Sequence, residues 1–295
     1  LNKELKELYI SMAIKSLAIA MVGIFIPAYL YLRTPAGLIG VATFYLVISL
    51  VHIITSPWSA MLASRYGLKH ALGMSVPLYV LFYFMLAYHS ALSLLWIVLI
   101  GIIGGLADSI FWVALHAHMI RISDKKHRGE EVGLLYSVSV VSKILGPLIG
   151  ALIVTFFSFN VLFMTVVFLY VVSLVPLTFS GEKHIAQPFS YGALRATYTK
   201  YKRVLFSCIP FGALGIGEVV LWPLFLFLII DAYISFGFIF TVAEVILMVS
   251  YTLVGRCSDH GKGKVMWIGS TFHTLNWFIR ATTTKVGFLL STVPL

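Results

Sequence analysis

Charge is scarce in this sequence. Asp, Glu, Lys and Arg make up 11% of its 295 residues, where a water-soluble domain carries roughly 25%. So few ionic groups cannot clothe a globular surface in water. This excludes a soluble domain, a disordered chain and, despite a net charge of +10, a nucleic-acid binder. Cysteine is almost missing: Cys208 and Cys257 are the only two, too few for a disulfide framework or a paired-Cys metal site. A G-x-x-x-x-G-K-[ST] phosphate loop is absent. No metal, cofactor or nucleotide is therefore expected. A cleavable leader is not expected either, since Lys3, Glu4, Lys6 and Glu7 run straight into a long apolar segment. The chain opens on Leu1, so its true start is expected upstream.

What is present is apolar: 60% hydrophobic and 15% aromatic residues, with a mean hydropathy of +0.98. A bilayer core needs about 20 apolar residues per helix. Runs of that kind fall at 9–32, 36–63, 71–88, 90–120, 132–158, 160–179, 204–230, 232–254 and 265–279. They are continuous rather than alternating, so they predict helices and not barrel strands. The predicted class is an all-α polytopic membrane protein with about nine complete spans. A polar stretch at 181–203 divides residues 1–180 from residues 204–295. With the N-terminus in the cytoplasm, sixteen Lys/Arg fall on the cytoplasmic side, while Arg33, Arg280 and Lys285 fall outside. That asymmetry predicts the orientation. Lys15, a turn or two into the first run, is expected to snorkel to the headgroups.

An internal repeat organises these runs. The segment Ala60–Ser64–Arg65–Gly67–Lys69 returns as Gly255–Arg256–Asp259–Gly261–Lys264 at an offset of 195, and Pro27 returns as Pro223 at 196. Six helices, a basic linker and a second helical set form one transporter plan. The chain here resembles the major facilitator superfamily of secondary transporters over its whole length. The family's loop pattern G-x-x-x-D-R-x-G-R-R is met by Ala60, Ser64, Arg65, Gly67, Leu68 and Lys69. The second copy keeps Gly255 and Asp259 and has Gly261 one place early. The resemblance implies a two-bundle fold whose second six-helix bundle is incomplete here, with the last three helices expected beyond residue 295. It also implies gating loops at Ser64, Arg65, Gly67, Lys69, Gly255, Arg256 and Asp259, although a generic basic turn would read the same way. The family's antiporter pattern G-x8-G-x3-G-P-x2-G-G is met by Gly133, Ser142, Gly146, Pro147, Gly150 and Ala151. By resemblance it points to export against proton entry; ordinary close packing would use the same residues.

Ionisable residues at mid-bilayer are costly and mark cavities or partners. Asp108, Lys143, Glu218 and Glu244 fall near the centres of runs four, five, seven and eight, which border the cavity in the resembled fold. Gly105, Asp108 and Trp112 share a helix face, as do Gly215, Glu218 and Trp222. A carboxylate one turn from an indole suits an organic cation or a lipophilic amphiphile. Lys143 is expected to pair with Asp108, leaving Glu218 and Glu244 without basic partners as proton or substrate acids. Gly212, Gly215 and Gly217 would loosen the helix around Glu218. His52 is a further cavity candidate or a hydrogen-bonded core histidine. The partners expected are the bilayer, a small-molecule substrate and a proton, for a monomer in the plasma membrane. The expected function is alternating-access secondary transport, as a proton-coupled exporter of small organic solutes. The alternatives are an importer of sugars or organic anions around Lys143, or a non-transporting remnant. A membrane enzyme is not expected, because the acids lie at mid-membrane and not at an interface.

Overall fold

The computed structural model describes residues 3–88, 93–123, 128–181, 189–230, 232–258 and 262–282. Among them every regular element is helical: α1 (Lys3–Gly23), α2 (Phe25–Arg33), α3 (Leu38–Tyr66), α4 (Leu68–Ala87), α5 (Leu94–Ile122), α6 (Arg128–Ile144), α7 (Gly146–Phe156), α8 (Phe159–Val172), α9 (Tyr191–Ile216), α10 (Trp222–Ile229), α11 (Tyr233–Ser258) and α12 (Lys262–Thr282). A 3₁₀ turn, Val175–Thr178, extends α8, and a π-helical turn, Gly217–Leu221, joins α9 to α10.

Three of the long helices break at a fixed distance before a proline. Proline has no N–H for the carbonyl four residues back, and its ring crowds that carbonyl. Pro27 lies four residues after Gly23, where α1 ends; Pro147 lies four after Lys143, where α6 is about to end; Pro223 lies four after Val219, inside the π turn. Bends therefore occur in spans one, five and seven, the first and last of these at the repeat-related prolines.

Seven segments are long and apolar enough to cross a membrane: Lys3–Arg33, Leu38–Tyr66, Leu68–Ala87, Leu94–Ile122, Leu134–Phe156, Phe159–Thr178 and Cys208–Ile229. Tyr233–Met248 is apolar but shorter. The expected ninth span does not qualify among the described residues, because α12 carries Lys262, Lys264, Asn276 and Arg280 along its length. The polar stretch at 181–203 is in part helical. From Tyr191 it is helical and continuous with span seven, capped by Ser190, whose Oγ accepts from the Ala193 N–H at 3.3 Å.

In the first half, α5 packs along α3 and α4, while α1 packs along α6, α7 and α8. The α11 helix docks on α6 and α7. Close approach is built in with glycine. A Cβ on Gly150 would overlap the Met21 carbonyl oxygen, and one on Gly237 would overlap the Ala151 methyl group. Span five is thus clamped between spans one and eight. Aromatic rings fill the seam: Phe25 meets Phe236 at 5.5 Å and Phe159 at 6.3 Å, and the buried Tyr29 hydroxyl donates to the Leu86 carbonyl at 2.6 Å.

Candidate functional site

Two cavities bring the mid-membrane charges together, and a third cluster is solid. The larger cavity, about 320 Å³, lies between span one, span five, the π turn with α10, and α11. Its charged lining residues are Lys143, Glu218 and Glu244; Trp222, Pro147 and Phe240 are among the apolar ones. The second cavity, about 190 Å³, lies between α1, α5 and α6 and is lined by Trp112, His116, Tyr136, Ser139 and again Lys143. Spacing explains the convergence. Met12, Ser16 and Ile19 on α1, Trp112, His116 and Met119 on α5, and Tyr136, Ser139 and Lys143 on α6 each recur at three or four residues, so each set shares a helix face.

The acid pairings differ from those expected. Glu218 has a basic partner: Arg280 Nη1 donates to its Oε1 at 2.8 Å. Arg280, placed in an external loop by its sequence, is 3% exposed near the end of α12. Its guanidinium also lies 4.1 Å from the Trp222 ring and 5.0 Å from Trp277. The cation on the Trp222 face is thus the protein's own, and that indole is not open to an organic cation. Glu244 is within electrostatic reach of Lys143, so it too has a basic neighbour.

Asp108 does not pair with Lys143. It turns into the first bundle, where the Tyr79 hydroxyl donates to its Oδ1 at 2.5 Å. The ionisable groups within reach of it are Lys15 and His52. Neither Asp108 nor His52 is among the residues lining the two cavities. Lys15 does not snorkel. It is 2% exposed, and its Nζ lies over the Phe111 ring, 4.2 Å from the Tyr79 centroid and 5.0 Å from Tyr170. That ammonium has no hydrogen-bond partner among the described residues, so its compensation is the ring faces and the Asp108 charge. Sequence reasoning missed Lys15, Tyr79 and Arg280. The one available signal was a lysine deeper in span one than headgroup contact requires.

The glycines around Glu218 divide. A Cβ on Gly217 would fall 2.8 Å from the Trp277 ring, whereas Gly212 and Gly215 have open space. The local irregularity is the π turn that carries Glu218 itself. Such turns recur at functional positions.

At the basic loop, Gly67 has φ +101°, a conformation only glycine adopts freely, and it turns the chain from α3 into α4. Ser64 does not cap a helix; its Oγ donates back to the Met61 carbonyl at 2.8 Å. Arg65 lies over the Tyr66 ring at 5.4 Å. Lys69 is buried and not at the headgroups: its Nζ donates to Glu7 Oε2 at 2.9 Å, Ser180 Oγ at 2.6 Å and the Ser180 carbonyl at 3.1 Å. It ties the start of α1 to the end of span six. In the repeat copy, Asp259 lies outside the described residues, as do the side chains of Gly255 and Arg256. On span five, Gly146, Pro147 and Gly150 form the seam with span one, Ser142 donates to the Val138 carbonyl at 2.8 Å, and the surroundings of Gly133 lie outside the described residues.

A bundle of membrane-length helices around a cavity with charges on its wall defines a carrier-type membrane protein. A family model described as Major Facilitator Superfamily matches residues 8–286. The chain belongs to that family, whose members transport solutes across membranes. A comparison with curated proteins gives no match.

Proposed function

We propose that this protein is a secondary active transporter of small organic solutes that works by alternating access with proton coupling. The observation supporting this reading is the cavity between spans one, five, seven and eight, where Lys143, Glu218 and Glu244 meet on an otherwise apolar wall. Apolar walls bind a solute body, and a few placed charges orient it. A carboxylate facing one lysine can exchange that lysine for a proton as the cavity changes sides. Glu244 is the coupling acid in this reading, and Glu218, held by Arg280, positions the π turn. The bends at Pro147 and Pro223 support rocking of the helices that wall the cavity. The chain acts as a monomer in the plasma membrane with its basic loops and N-terminus in the cytoplasm, and it is not an enzyme.

Two directions follow from two observations. The small-residue pattern Gly133, Ser142, Gly146, Pro147 and Gly150 supports export against proton entry. The open access of Lys143 to both cavities supports uptake of an organic anion with a proton. The test is the full chain in proteoliposomes loaded with a pH-sensitive dye and challenged with a panel of organic anions, cations and neutral sugars. Solute-driven proton movement that Glu244→Gln abolishes is expected; its direction separates the two. Solute flux unaltered by Glu244→Gln or by a proton uncoupler would sink the coupling.

A further inference from the structure

We propose that Ile19 and Lys143 form the selectivity point of a two-chamber substrate path, and that the solute it accepts is a small organic monoanion with an aromatic body. The proposal rests on the transporter reading and names its substrate class.

The two cavities are stacked along the same helices. On α1 the second cavity is lined by Met12, Ser16 and Ile19, and the first by Ile19, Ala20, Gly23 and Ile24. On span five the order is Leu135, Tyr136, Ser139 and Lys143, then Lys143 and Pro147. Ile19 and Lys143 are the two residues common to both linings. From Met12 to Ile24 at 1.5 Å per residue, the path covers about 18 Å of helix. A solute moving between the chambers passes the Lys143 ammonium. The helix breaks just there, since Pro147 has no N–H to offer the Lys143 carbonyl.

The chemistry of the walls sets the sign. The second chamber's polar groups are Ser16, His116, Tyr136, Ser139 and Lys143, with no carboxylate among the described residues of its lining. Ser139 donates to the Leu135 carbonyl at 2.9 Å, which fixes its proton. Trp112 and His116 stack at 5.7 Å and 26°, giving a flat wall suited to a planar ring. In the first chamber, Arg280 neutralises Glu218 and occupies the Trp222 face. Glu244 is then the acid that competes for Lys143. While Glu244 is ionised its charge attracts the lysine across the chamber; when it takes a proton that attraction is gone and the lysine is open to a substrate carboxylate. Proton and anion therefore load together. The other titratable groups facing Lys143 are His116 and Tyr136 on one side and the Glu218–Arg280 pair on the other. An organic cation finds no carboxylate in the second chamber and meets Lys143 at the junction.

The test uses the full chain in nanodiscs, with benzoate as the anionic probe, benzylamine as its cationic counterpart, and calorimetric binding as the readout. Benzoate is expected to bind in preference to benzylamine. Lys143→Gln is expected to weaken benzoate about tenfold or more, the scale of one lost charge-assisted hydrogen bond; Lys143→Arg retains binding and Glu244→Gln tightens it. Should Lys143→Gln fail to fold, Ile19→Phe on the opposite wall serves: it slows benzoate flux severalfold with the lysine in place. Preference for benzylamine, no benzoate binding, or benzoate affinity indifferent to Lys143→Gln would overturn the proposal. Benzoate flux into proteoliposomes, measured in parallel, separates the two readings. Binding without flux removes transport and keeps the site, while proton movement driven by another solute without benzoate binding keeps transport and removes the site.

Discussion

Two lysines sit inside the membrane-spanning part of this protein, and their surroundings differ in kind. Lys15 is sealed among Phe111, Tyr79 and Tyr170, with Asp108 as the acid within reach. Tyr83 and Tyr170 lie behind it with ring centroids 5.5 Å apart, and further rings crowd the remaining space. Lys143 borders two cavities and has Glu244 across one of them. The same residue type at similar depth is thus a structural charge in one bundle and an accessible one at the seam. What decides is packing: the first site borders a void of only about 10 Å³, and the second lies where Pro147 interrupts a helix. A charge with no room for a solute beside it cannot change partners during transport. A charge between two cavities can.

This contrast is broken most sharply by removing the acids. Asp108→Asn leaves Lys15 buried without a counter-charge and is expected to cost about 3 kcal/mol, the scale for orphaning one member of a buried pair. Adding Lys15→Met should recover most of that loss, because both charges are then gone. Lys143→Met is expected to change stability by less than about 1 kcal/mol, since solvent reaches that lysine from the cavities. Thermal unfolding of the three variants beside the unaltered protein in one detergent checks all of this. Equal losses from Asp108→Asn and Lys143→Met would erase the distinction.

Next in size is the seam itself. Gly150→Ala pushes a methyl group into the Met21 carbonyl and is expected to cost about 1–3 kcal/mol by overpacking. The outcome also sharpens the meaning of the small-residue pattern on span five. Destabilisation with coupling intact in the folded fraction would make the pattern a packing device. A stable variant with altered proton coupling would make it part of the exchange cycle. At the cavity wall, Arg280→Gln is expected to cost about 1–2 kcal/mol, because its partner Glu218 is only partly buried and solvent relieves part of the loss. Glu218→Gln should cost more than Arg280→Gln, since it leaves the deeper group, the arginine, without its counter-charge.

Seven of the nine expected spans recur as membrane-length apolar helices, legible because a bilayer imposes length and apolarity on every helix that crosses it. The bends were legible in principle too, as Pro27, Pro147 and Pro223 each act on a residue four back. What hydropathy could not supply was azimuth between helices. Asp108 and Lys143 lie on consecutive spans, and nothing in their spacing says that one turns toward Tyr79 and the other toward Glu244. Arg280 was misplaced because a run of apolar residues ends at Ile279, and a charge at the end of a run reads as a loop. Tyr191–Ile216 was divided at 204 for the same reason: cations mark a loop to a hydropathy count, yet Arg and Lys are good helix formers and Ser190 caps their helix.

The smallest effect bears on where span seven bends. A methyl group added at Gly215 would meet open space, so Gly215→Ala should stabilise the helix by about 0.5–1 kcal/mol through propensity alone. If the flexible element is the π turn at Gly217–Leu221, this stabilisation leaves solute flux unchanged. If Gly215 is itself the hinge, flux falls while the melting temperature rises. The paired variant Gly217→Ala behaves differently in either case. Its methyl group meets Trp277, the neighbour of Arg280 in the same helix, and so disturbs the residue that holds Glu218. Loss of flux in Gly217→Ala with Gly215→Ala normal would locate the moving part at the charged turn, on the cavity side of the molecule and away from the sealed lysine.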